Sequence, residues 1–355
     1  MAAAVVVEAI GLISGFLGII QFGIDNIPEV ESVGSTVRVR VGLDFNGRLS
    51  NTGGDLPDIR LFNEAGEFIG ITADPGTVKS GMAGDITVEH KSNLGQQATY
   101  TLFSANNDAI CIAYASITWP NGEEYGWVGD WGRQCGGSWY YSNVYISASS
   151  YTPDCLWIDG NNNQPQTGFQ IHWPEFANDN PIPDSLEGQH TKIDHLCNSG
   201  PPFQMHTYPD KDPRSIMYWA PRSGRSLSDK RVLETATSYG PPKHAVSARF
   251  ESEQDYNEAN QTTTPQLIGM SMVISDSEKH SAEDLCNSAT SYGPDFMNIK
   301  SEIFCRMSDK TIWPICNAAN IIDNCFNTGL SQLVLNGIAT RDEPYHNVID
   351  WTSAN

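Results

Sequence analysis

The chain has 355 residues, with 21 basic against 42 acidic side chains and a formal charge of −21. That length can bury a sizeable core in about two domains, and a 39% apolar share argues against long disorder. The acidic excess is spread over the chain, with seven basic and nineteen acidic residues up to Phe176 and fourteen and twenty-three after it; this excludes nucleic acid as a partner and disfavours anionic membranes unless a local apolar segment inserts.

Residues 2–24 read AAAVVVEAIGLISGFLGIIQFGI, long enough for a membrane span or a signal peptide. No basic residue precedes Arg38, Glu8 interrupts the run, and a small-residue cleavage site is missing. A cytoplasmic origin is therefore expected over secretion. The period predicts a helix, with Glu8, Gly11, Gly15, Gly18, Phe22 and Asp25 along one stripe and Pro28 stopping it. Each helical glycine costs about 1 kcal/mol relative to alanine. A helix that accepts this cost gains close approach to a neighbour. Three fates compete: burial in its own domain, docking into another subunit, and membrane insertion.

From Thr36 the period changes to two. Val37, Val39, Val41 and Leu43 fall on one face, and Arg38 and Arg40 on the other, as in a half-buried strand. Strand-like runs follow at 58–62, 68–72, 85–90, 98–104 and 109–119, separated by turns such as Pro120-Asn121-Gly122. This punctuation predicts an antiparallel β-sandwich over residues 31–176.

Residues 127–145 read WVGDWGRQCGGSWYYSNVY. Trp127, Trp131, Trp139, Tyr140 and Tyr141 on a glycine-rich stretch are a possible ligand surface for sugars or lipid headgroups; the competing reading is core filling. A bond from Cys111 to Cys135 could staple the stretch. Asp159-Gly160-Asn161-Asn162-Asn163 is oxygen-rich but lacks the spacing of a calcium loop, and reads as a turn.

Residues 177–355 look irregular, a mixture of short helices and loops bearing a cysteine cluster. Cys286, Cys305, Cys316 and Cys325 are disulfide candidates with three possible pairings, and their spacing does not suit zinc. Two segments resemble each other: LETATSYGP at 233–241 and LCNSATSYGP at 285–294. They hint at two copies of a helix-to-turn element ending at Gly-Pro. His190 and His195 flank Asp194, without the spacing of a zinc protease. The sequence has no GxSxG, P-loop or dinucleotide fingerprint, so no catalytic residue, cofactor or metal is expected.

The stretch 107–141, NDAICIAYASITWPNGEEYGWVGDWGRQCGGSWYY, resembles fungal development-specific proteins of the sclerotium type. The later stretch 280–317, HSAEDLCNSATSYGPDFMNIKSEIFCRMSDKTIWPICN, is similar to the same group. The resemblance covers about a fifth of the chain. It implies an abundant structural or storage protein of resting bodies and carries over no functional residues.

The expected architecture is thus mainly β: an apolar helix over 1–30, a sandwich over 31–176 and an irregular region over 177–355. The expected function is a non-enzymatic structural or storage protein that self-assembles through its N-terminal helix, as a homo-oligomer or filament. The alternatives are a membrane-active, pore-forming-like protein and a carbohydrate-binding module.

Overall fold

The computed structural model describes residues 27–29, 33–42, 53–91, 96–146, 151–162, 164–177, 180–219, 271–317, 323–339, 345 and 347–352. The expected N-terminal helix, with Glu8, Gly11, Gly15, Gly18 and Phe22, lies outside the described residues. So do Leu43 and the first ATSYGP segment.

The protein is mainly β. One antiparallel sheet runs β10 (Trp139–Tyr141), β11 (Asp154–Ile158), β8 (Ile110–Thr118), β1 (Gly34–Val41) and β6 (Ala83–Glu89), with β9 (Glu124–Val128) also paired to β8. The period-two reading of β1 holds: Val37, Val39 and Val41 are fully buried, while Arg38 faces Asp85 of β6 at 2.6 Å. A second antiparallel sheet runs β13 (Phe203–Thr207), β12 (Gln166–His172), β7 (Tyr100–Ser104), β3 (Asp58–Phe62) and β4 (Phe68–Thr72). A short ladder joins β2 (Gly54–Asp55) to β5 (Thr77–Val78).

These two sheets share one hydrophobic core, an arrangement that fits the expected sandwich. Trp127 of β9 stacks on Phe169 of β12 at 5.0 Å and on Phe203 of β13 at 5.6 Å. At one margin the sheets meet directly, where Thr72 Oγ1 donates to Thr87 O at 2.7 Å and Lys91 N donates to Ile69 O at 3.1 Å. Ile27 packs on the core, and Thr118 Oγ1 donates to Pro28 O at 2.7 Å.

The C-terminal region corrects the expectation of helices and loops. Of its clustered cysteines, Cys305 and Cys325 lie on strands, Cys286 on a short helix and Cys316 outside any strand. β14 (Ser271–Ser275) pairs in parallel with β15 (Asp295–Asn298) and β21 (Asn347–Asp350), and β16 (Ile303–Arg306) and β17 (Thr311–Pro314) continue the sheet antiparallel. A small sheet of β18 (Cys325–Asn327), β19 (Gln332–Leu335) and β20 (Ile338–Ala339) lies next in the chain. These strands have five residues or fewer, too short to display a period. Glu302, Lys310, Asn324 and Ser331 take positive φ in this region although none of them is glycine; only the Asn336-Gly337 turn between β19 and β20 carries a glycine at positive φ.

Helices are few among the described residues: α1 (Asp130–Gln134), α2 (Leu186–Asn198) and α3 (Ala282–Asn287), with a 3₁₀ turn over Trp173–Phe176. Helix α2 gave little sequence signal because its apolar face is thin, with Leu196 its one fully buried side chain. The Ser185 hydroxyl caps it by accepting from Gly188 N at 3.2 Å.

Candidate functional site

All eight cysteines are paired. The bonds are Cys111–Cys155, Cys135–Cys197, Cys286–Cys305 and Cys316–Cys325. The two C-terminal pairs fall within the predicted cluster. The suggested Cys111–Cys135 staple is not formed: Cys111 lies opposite Trp157 on the β8–β11 ladder, beside Cys155, while Cys135 ends α1 and reaches Cys197 on α2.

The aromatic stretch does not make an exposed surface. Trp127, Trp131, Trp139, Tyr140 and Tyr141 are each at most 3% exposed, so they offer no flat face to a sugar or headgroup. Its glycines serve packing. A side chain at Gly129 would meet the Asp154 carbonyl oxygen at 2.4 Å, so this position lets α1 lie directly against β11.

The densest polar cluster sits where α1, β11 and β10 meet α3 of the C-terminal region. Arg133 is at its centre. Its Nη1 donates to Asp154 at 2.8 Å, its Nη2 donates to Asp284 at 3.1 Å, and its guanidinium lies 3.7 Å over the Trp139 ring. Tyr141 adds a two-way bond, donating from its hydroxyl to Ser281 O at 3.1 Å and accepting from Ser281 N at 2.9 Å. Burial pushes the Asp130 carboxyl upward, and the neighbouring Asp154 charge adds to the push. Asp154 is raised by the same burial, against the pull of Arg133. Burial alone would lower Arg133, but the Asp154 charge outweighs it and holds the guanidinium firmly charged. A sequence signal did exist: Arg133 is the only lysine or arginine between Lys91 and Lys192. A lone cation among buried rings needs an internal partner.

This cluster is an internal joint. Arg133 pairs with Asp154 of the sandwich and Asp284 of the C-terminal region at once, so the cluster cross-links two regions. A second joint lies beside it. Lys310 Nζ donates to Leu285 O at 3.2 Å, to Ser291 O at 2.7 Å and to the Ser291 hydroxyl, and burial lowers its amine to about 8.

A groove of about 590 Å³ runs along α2, lined by Pro183, Ser185, Glu187, Gly188, Thr191, Lys192 and His195. Lys192 and His195 both turn to Glu175, Lys192 at 3.6 Å and His195 Nε2 at 3.2 Å. Burial would raise the Glu175 carboxyl, but His195 and Lys192 outweigh it and hold it down at about 2. His195 also stacks on Trp219 at 5.7 Å. His190 and His195 do not converge on Asp194, which accepts instead from Asn198 Nδ2 at 2.8 Å. The Asp159 carboxylate accepts from the amides of Asn161 and Gln164 and closes the expected turn. Among the described residues no helix is long and apolar enough to cross a membrane.

Compared with known proteins, the chain matches no protein-family model and no curated protein sequence.

Proposed function

We propose that the chain is a non-enzymatic structural or storage protein that assembles with copies of itself through the apolar segment 2–24. The observation that carries this reading is where the chemistry-bearing side chains are spent. Five of the six rings of the aromatic stretch, all but Tyr145, fill the core, every cysteine is cross-linked, and Arg133, Lys192 and Lys310 are tied to internal partners. Such investment produces a rigid body whose value lies in holding shape.

The segment 2–24 is the largest apolar run in the chain, and its base is fixed to the rigid part through Ile27 and Pro28. A helix with a small-residue stripe projected from one point of a rigid body makes a heterologous contact when it enters a neighbour. Repetition of that contact gives a filament or lattice. The carbohydrate-module alternative loses support because its rings are buried, and no described feature favours the membrane-active one. Light scattering on the chain lacking residues 1–27 tests the proposal: the mass should fall to that of a monomer, and an unchanged assembly would overturn it.

A further inference from the structure

The four disulfides differ in what can reach them and in what they hold. Cys111–Cys155 and Cys286–Cys305 are sealed: Cys111, Cys155 and Cys305 are fully buried and Cys286 is 5% exposed. Each also joins elements that pack together without it, the paired strands β8 and β11 in one case and α3 on β16 in the other. In Cys316–Cys325 the second residue is fully buried, and Cys316 N donates to Phe326 O at 2.8 Å, so a backbone bond holds the same two segments. In Cys135–Cys197 both residues are only half-buried. Exchange needs a thiolate to reach a sulfur, so this bond is the one most open to attack.

Cys197 lies in the last turn of α2, and that helix has few other fastenings. Its cap and the side-chain bonds of Gln189, Thr191 and Asp194 stay within residues 184–198. Towards the body of the protein it offers Leu196, fully buried, and Ile193, partly buried against the core. Its polar ties are Lys192 and His195 on Glu175, with the His195 ring also stacked on Trp219. A helix of thirteen residues with so thin an apolar face is marginal in water on its own. The cross-link to Cys135 is therefore a main part of what keeps α2 in place. The other side of the bond does not depend on it. Cys135 ends α1, where Trp131 is buried against Phe176 and Arg133 is bonded to Asp154 and Asp284. Opening the bond loosens one partner and leaves the other standing.

We propose that Cys135–Cys197 is a redox clasp, opened by a dithiol reductant, whose opening releases α2 while the sandwich and the C-terminal sheet keep their form. A thiolate of the reductant attacks one sulfur, forms a mixed disulfide and expels the other cysteine as a thiolate, which takes up a proton. The second thiol of the reductant then closes its own disulfide and frees the remaining cysteine. The protein gains two electrons and two protons, and the dithiol loses both. Release is a local opening. It draws Leu196 and Ile193 off the core and parts Lys192 and His195 from Glu175. The Lys192–Ile193 peptide bond, held in the middle of α2, becomes accessible. Reoxidation reverses each step. This inference goes beyond the assembly reading and does not rest on it.

The test is a titration of the full chain with dithiothreitol in the absence of denaturant. Free thiols are trapped with N-ethylmaleimide and mapped by mass spectrometry, and a parallel sample receives a brief exposure to trypsin. Cys135 and Cys197 should label at a reductant concentration roughly tenfold below that needed for Cys111, Cys155, Cys286 and Cys305. Cleavage after Lys192 should rise several-fold over the same range, because proteolysis follows the population of the open form. The near-UV signal of the sandwich tryptophans should persist, and reoxidation should restore protection. The double variant Cys135→Ser, Cys197→Ser should show the same cleavage with no reductant present, which separates this bond from Cys316–Cys325. Labelling of the sealed pairs over the same range overturns the proposal, as does loss of the tryptophan signal there. So does labelling of Cys135 and Cys197 with Lys192–Ile193 still protected, since α2 would then hold without the bond.

Discussion

The sandwich and the C-terminal sheet reach order by different routes. The fully buried tryptophans and tyrosines among the described residues, Trp119, Trp127, Trp131, Trp139, Trp173, Tyr100, Tyr114 and Tyr140, all belong to the sandwich region, whereas the fully buried rings of the C-terminal region are Phe296, Phe304 and Phe326. Its disulfides span 44 and 62 residues. The C-terminal sheet has shorter strands; its buried Val273, Leu285, Phe296 and Ile349 join the sandwich core, a smaller cluster forms around Met272, Phe304 and Phe326, and its disulfides span 19 and 9 residues. One region is held chiefly by apolar burial, the other by covalent staples and by its joint to the first. A small unit that buries little apolar surface depends on such supports.

The largest effect should come from breaking the joint. Arg133→Ala leaves Asp154 buried without its cation, a loss of about 3–5 kcal/mol. If the comparison is right, hydrogen exchange in this variant should rise first in β14–β17 and only later in β1 and β8. Uniform exposure of both regions would mean that they are equally self-sufficient. Replacing Cys286 and Cys305 by alanine comes next, at about 3 kcal/mol, and should melt the C-terminal sheet while the near-UV signal of the sandwich tryptophans persists. Loss of both signals together would contradict the division.

A third test uses pH. His280 is buried between Tyr141 and Trp351, hydrogen-bonded to Ser275, and burial lowers its imidazole to about 4. Its ordinary value is 6.5. The sign follows: the stability that the neutral ring contributes is complete above 6.5 and lost as pH falls towards 4, about 3 kcal/mol in all. Asp130 acts oppositely. Its raised carboxyl contributes most below its ordinary 3.8 and loses that contribution as pH rises towards about 8. Acidification from 6.5 to 4 should therefore loosen the C-terminal sheet ahead of the sandwich, measured as selective line broadening around His280. His280→Gln should flatten that dependence; an unchanged profile would place the acid sensitivity elsewhere. The smallest effect is expected from Arg306→Ala. It breaks a surface pair with Asp309 and should cost under about 1 kcal/mol by thermal melting.

The same contrast explains what the sequence disclosed. In the sandwich, alternation was visible over β1 because that strand runs eight residues with one face buried, and β8 reads as a nine-residue apolar run; β3, β4 and β7, with five residues each, were set apart by the turns between them. Strand β14 pairs in parallel with β15 on one side and on the other with β21, which lies far away in sequence, a relation that leaves no local period. At the joint, Arg133, Asp154 and Asp284 converge from three distant segments, so no motif could display them. The aromatic stretch was conspicuous but ambiguous: clustered rings mark a platform or a core equally, and burial alone decides. The ATSYGP repeat was readable at once, but the pairing of its second copy with Trp139 of β10 joins residues about 150 positions apart and left no local signal.

The most direct test of the account is sedimentation velocity on the full chain with Gly11, Gly15 and Gly18 changed together to leucine. These substitutions keep the segment apolar and helix-compatible but remove the close approach that the proposed contact needs. The account predicts a monomer where the unaltered chain sediments as an assembly. An assembly of unchanged size, or an unaltered chain that is itself monomeric at high concentration, would contradict it.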